Sequence, residues 1–108
     1  MPKKISIKTK ERVKVRDSKE EKYSFKLFVT GILPNSARAV VNSKAICEQY
    51  LKGRYELEII DIYQQPVLAL KEEIIAVPVF IKKFPLPEER VIGDLSDIGK
   101  VLKLIQIS

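Results

Sequence analysis

The sequence predicts an α/β domain whose elements run β-α-β-α-β-β-α, with a mixed sheet flanked by helices. Three observations carry that prediction. A strand, a helix and a second strand succeed one another between Tyr23 and Tyr63 at the spacing of a right-handed crossover. Two short apolar runs then meet through Pro85-Leu86-Pro87, which reads as an antiparallel pair. A capped apolar periodicity follows from Ser96 onward.

Each element has its own signal. From Tyr23, the residues Phe25, Leu27 and Val29 alternate with Lys26 and Phe28, a strand that becomes apolar on both faces near its end. It runs through Gly31 into a helix opened by Pro34, Asn35 and Ser36, with Asn35 or Ser36 as the expected N-cap. Ala39, Val40, Ser43, Ile46, Cys47, Tyr50 and Leu51 recur at helical spacing as far as Lys52, and Gly53 supplies the stop. Tyr55 to Tyr63 is the second strand, and Leu57 to Ile62 is apolar enough to predict an interior parallel position. Pro66 opens a short helix with Leu68, Leu70, Ile74 and Ile75 as its apolar residues, closed by Val77-Pro78. Strands follow at Val79–Phe84 and Glu89–Gly93. Ser96 and Asp97 then cap a helix carrying Ile98, Val101, Leu102 and Ile105, although Val101 to Ile107 is apolar enough to score as strand too.

Composition narrows the chemistry. The 108 residues suffice for one core, and 45% hydrophobic with 31% charged residues is ordinary for a globular domain. There is no histidine and one cysteine, Cys47. Those counts exclude Ser-His and Cys-His catalysis and an intramolecular disulfide. Cys47 falls on the apolar stripe of the first helix, so a buried structural thiol is expected. Asp61, inside an apolar strand, reads as a capping or ion-pairing group, and Glu72-Glu73 and Glu88-Glu89 as solvated faces or partner contacts. No cofactor or metal is expected, and no run is long enough to span a membrane. The charged start from Lys3 gives no secretory leader, which makes a cytoplasmic protein the expectation.

The net charge of +6 is unevenly placed. Residues 1–22 hold nine Lys/Arg against four acids, leaving +1 for the rest. This basic arm is expected to be a solvated extension before a domain at 23–108. Ile5, Ile7, Thr9, Val13 and Val15 share one parity, so part of it can also pair as an edge strand. Nucleic-acid binding through the arm is a weaker alternative, because no aromatic residue is present to stack a base.

The corner at Gly31–Arg38 resembles the strand-to-helix turn at which thioredoxin-like proteins carry their redox cysteine pair, but here it reads Pro34-Asn35-Ser36, without sulfur. More specifically, Lys26-Leu27-Phe28-Val29 with Gly31, Pro34-Asn35-Ser36-Ala37-Arg38-Ala39, Ala76-Val77-Pro78 and Ile92-Gly93-Asp94-Leu95-Ser96 resemble the KaiB family of circadian-clock proteins. The resemblance implies a thioredoxin-like fold and a non-enzymatic adaptor that binds KaiC, a hexameric RecA-like ATPase, and other clock or signalling proteins. It implies a homo-oligomer, dimer or tetramer, and a second, ground-state fold in which the C-terminal half is rearranged. Arg38, Lys44, Arg54 and Glu58, on the first helix and second strand, become the expected partner contacts, and Pro34, Asn35, Ser36, Pro78, Gly93 and Asp94 the structural positions, with a cis bond before Pro78. Clock members commonly have Gly and Asp where this chain has Leu104 and Gln106; both are poorer helix residues, so the helical end-state is expected at rest. Glu58 and Glu73 stand where basic residues are expected, which also admits a stress-related relative. A thiol oxidoreductase using Cys47 is the remaining alternative.

Overall fold

The structure is a computed structural model describing residues 22–105. The arm before Lys22 and Gln106 lie outside the described residues. The order is β1 (Tyr23–Val29), α1 (Pro34–Tyr50), β2 (Tyr55–Asp61), α2 (Pro66–Lys71), β3 (Val79–Phe84), β4 (Glu89–Ile92) and α3 (Ile98–Ile105). The four strands form one mixed sheet in the order β2-β1-β3-β4. β1 and β2 are parallel, with Tyr23 opposite Tyr55 and Leu27 opposite Ile59. β1–β3 and β3–β4 are antiparallel.

Strand alternation divides the apolar residues between two faces. Phe25, Leu27 and Val29 of β1 join Phe80 of β3 beneath α1 and α3, in a core that includes Ala39, Cys47, Val101 and Leu104. Phe28, Ile60, Val79 and Ile81 form the opposite core, against the half-buried Leu68, Ala69 and Ile74 of the α2 region. The Phe25 and Phe80 rings stack with centroids 4.8 Å apart. Lys82 is buried in β3 and its charge partner is the residue opposite it on β4, Glu89, at 3.8 Å.

Several expectations are corrected. Among the described residues β2 stands at the end of the sheet with β1 as its neighbour, where an interior position was expected. Its apolar content reflects the layers above and below it: Ile60 is buried in one core, and Leu57 and Ile59 pack on the other. The N-cap of α1 is Leu33, with Pro34 at the first helical position and no side-chain cap. In α2, Leu70 and the nearby Ile75 are 79% and 94% exposed, because six residues make too few turns to define a buried stripe. The segment left ambiguous at 101–107 is helical through Ile105, with Leu104 buried, whereas Ile98 is exposed.

Candidate functional site

The corner between β1 and α1 is built from backbone groups and small side chains. The Thr30 N–H donates to Ser36 Oγ at 3.0 Å, so Ser36 is buried and ties the helix start to the strand end instead of capping its own helix. Asp61, at the end of β2, accepts from the N–H groups of Gly31 (3.3 Å) and Tyr63 (2.8 Å). A Cβ on Gly31 would sit 3.2 Å from that carboxylate, so a larger residue there requires the Asp61 side chain to give by a few tenths of an ångström. Asp61 is therefore a cap for two loops.

Long-range contacts join this corner to the turn between β4 and α3. Arg38 Nε donates to Asp94 Oδ2 at 3.0 Å, and the same guanidinium bonds Asn35 Oδ1. The Asn42 amide donates to the Asp94 carbonyl (2.8 Å), and the Ser96 N–H to Asp94 Oδ1 (3.0 Å). Gly93, at φ 123°, donates its N–H to the carbonyl of Pro78, whose preceding bond is cis. Pro34, Asn35, Ser36, Arg38, Pro78, Gly93 and Asp94 thus belong to one connected scaffold. Leu95 takes φ 68° to bury its side chain in the core beneath α1. Nothing in a leucine signals that conformation, and Asn42 gives no sequence signal either; the Asp94-x-Ser96 turn does.

The Ser96 hydroxyl, the Arg38 guanidinium and the Ser96 N–H together hold the Asp94 carboxyl at about 2, below its ordinary 3.8. A depressed folded-state value stabilises the fold above the unfolded value, and that contribution is lost as pH falls toward 2. Asp94→Asn should therefore lower the melting temperature near neutrality, with the gap to the parent closing between about pH 4 and 2. Melting curves by circular dichroism across that range provide the check; an equal gap at pH 2 and 6 would refute the role given to the charge.

The four expected contact residues do not form one patch. Arg38 is engaged with Asp94. Lys44 is exposed six positions further along α1, about 120° away around the helix. Arg54 lies 5.9 Å from the Tyr23 ring centroid in a cation–π geometry, before β2. Glu58 is exposed on the strand face shared with Ile60, the face that α2 covers. What sequence reasoning missed is an apolar surface around α2: Tyr63, Val67, Leu70 and Ile75 are each more than two-thirds exposed.

The redox alternative finds no support at Cys47. Its side chain is buried in the first core, and burial, with the Glu48 charge adding to it, pushes the thiol up to about 12. The thiol stays protonated at neutral pH and is a poor nucleophile. Among the described residues no group of histidine, cysteine or acidic side chains has metal-binding geometry, and no helix is long and apolar enough to cross a membrane.

Solved structures share this architecture. The N-terminal domain of SasA from Synechococcus elongatus superposes with a TM-score of 0.65 at 21% identity, over 91% of this chain and 97% of that one. The germline thioredoxin Deadhead of Drosophila melanogaster gives 0.67 at 11% identity, over 84% of this chain and 86% of that one. These likenesses establish a thioredoxin-like fold. Sequence relatives are nearer. The circadian clock oscillator protein KaiB of Prochlorococcus marinus (strain MED4) is 49% identical over 80 residues, 74% of this chain and 75% of that protein. The KaiB of Synechococcus elongatus (strain PCC 7942) is 46% identical over 85 residues, 79% of this chain and 83% of that protein. The KaiB domain model matches residues 26–107, a span that includes the cysteine-free corner and the Gly93-Asp94 turn, and this chain belongs to the KaiB family.

Proposed function

We propose that this chain is a non-enzymatic adaptor of the KaiB type, docking a KaiC-type ATPase in a circadian-clock or clock-derived stress-response system. The observation that carries the reading is the β1–α1 corner. Where thioredoxins hold paired thiols, this corner holds Pro34-Asn35-Ser36 in a hydrogen-bonded lock, and the lone Cys47 is buried. A thioredoxin-like scaffold without an accessible thiol has surface recognition left to offer.

The exposed apolar groups around α2 are the strongest docking surface, since Tyr63, Val67, Leu70 and Ile75 contribute little to either core. Glu58 borders the same side of the sheet, whereas Lys44 lies on the opposite layer. Co-precipitation with the cognate hexameric ATPase, in ATP and in ADP, tests the proposal. A complex is expected, and Leu70→Asp should weaken it by about tenfold or more while changing stability by under about 0.5 kcal/mol. The absence of a complex in every nucleotide state would overturn the reading.

A further inference from the structure

A cleft runs between β4 and α3. It holds about 390 Å³ between Arg90, Val91 and Ile92 on the β4 wall and Lys100 and Lys103 on the α3 wall. An adjoining hollow of about 330 Å³ adds Glu89 and Leu104. The β4 wall is apolar where it opens, since Val91 is half-buried and Ile92 is 60% exposed.

The charges around the cleft are unequally matched. Glu89 is answered by the buried Lys82 at 3.8 Å, and Arg90 by Glu88 at 3.6 Å and Glu72 at 3.8 Å. Lys100 and Lys103 are exposed, and neither has an acidic partner among the described residues. Their own helix supplies none, because Ile98–Ile105 contains no Asp or Glu. Three positions apart, the two lysines stand side by side on one helix face, with Cβ atoms about 5–6 Å apart.

We propose that this cleft binds a short, extended, acidic segment of another protein, in which carboxylates alternate with apolar residues. Successive side chains of an extended chain point to opposite sides, so one side meets the lysines and the other meets Val91 and Ile92. Carboxylates two residues apart are separated by about 7 Å along such a chain, close to the spacing of the lysine pair. Charge complementarity selects the acidic occupant, and the apolar wall gives it a register that two surface ion pairs alone would not. Nucleic acid is the poorer polyanion for this place, since no aromatic side chain lines the cleft to stack a base. The proposal does not rest on the ATPase reading: Val91 and Leu104 pack with the first core, whereas α2 covers the second.

The test is a titration of the isotopically labelled full chain with a capped peptide of alternating Glu and Leu, followed by amide chemical shifts. Residues 90–92 and 100–104 should shift and saturate. The same peptide with Gln for Glu should bind about tenfold or more weakly, and Ser for Leu should weaken it as well. Lys100→Gln with Lys103→Gln places another good helix former at two exposed positions. That pair should cost the Glu-Leu peptide about tenfold or more in affinity while the helix content stays unchanged. Equal affinity for the Glu and Gln peptides, binding that survives the double substitution, or shifts confined to other residues would overturn the proposal. So would the lack of a saturating shift up to millimolar peptide. A single-stranded oligonucleotide that shifts the same residues more tightly than the peptide would overturn the choice of a protein partner. Leu70→Asp should leave peptide binding unchanged, which separates a failure here from a failure of the ATPase reading.

Discussion

Replacing Phe80 by alanine is expected to destabilise the fold by about 3–5 kcal/mol, a large part of the roughly 5–15 kcal/mol available to a domain of this size. The ring is fully buried in β3, between β1 and β4 in the sheet, and stacks on Phe25 at 4.8 Å. It supports the core under both α1 and α3, so the space left behind cannot be filled by moving one helix alone. The same truncation at Ile75, which is 94% exposed, should change stability by under about 0.5 kcal/mol. Urea unfolding followed by circular dichroism measures both. A loss below about 1 kcal/mol at Phe80 would contradict the packing described for the first core. Because the α2 surface depends on the opposite core of the same sheet, Phe80→Ala should also weaken partner capture at temperatures where the fold begins to melt.

How far these features were legible in the sequence depends on the range over which each is encoded. The crossover, the antiparallel pair and the last helix follow from local periodicity and punctuation: alternation from Tyr23, Pro34 before a helical stripe, proline between two runs. The lateral position of β2 does not. Apolar residues on both faces report helices above and below a strand, and say nothing of whether a neighbour lies beside it. The cap of α1 was misread because Asn35 and Ser36 are good cap residues in general. Here Pro34 already takes the first helical position, and Ser36 is drawn to the Thr30 N–H. The site divides in the same way. The corner and the Gly93-Asp94 turn stand out as motifs, but the ion pair that joins Arg38 to Asp94 spans 56 residues of sequence and exists only in the fold.

The acidic pair Glu72-Glu73 was expected to be a solvated face or a partner contact, and the half-buried place of Glu72 leads to the second large effect. Glu72 has a side chain only 14% exposed and is the hub of an ion network on the α2 face of the sheet. Its carboxylate accepts from Lys83 Nζ at 3.0 and 3.1 Å, with Lys26 at 3.6 Å and Arg90 at 3.8 Å. Glu88 shares Lys83 and Arg90, at 3.1 and 3.6 Å. Glu73, by contrast, is exposed, at φ 56°. Glu72→Gln leaves Lys26, Lys83 and Arg90 crowded together with a single acid nearby, and should cost about 2–3 kcal/mol. The pH dependence has a definite sign. Partial burial pushes the Glu72 carboxyl up, but the Lys83 hydrogen bond and the charges of Lys83, Lys26 and Arg90 outweigh it, leaving the group below its ordinary value of 4.5. Its stabilisation is therefore complete above the unfolded-state value and fades as pH drops through the lower folded-state value. The parent should lose stability steeply below about pH 4.5, and Glu72→Gln should lose less over the same interval. Chemical denaturation at a series of pH values compares the two slopes. Because α2, β1, β3 and β4 all contribute to this network, parallel slopes would mean that these elements are held together by the apolar core alone.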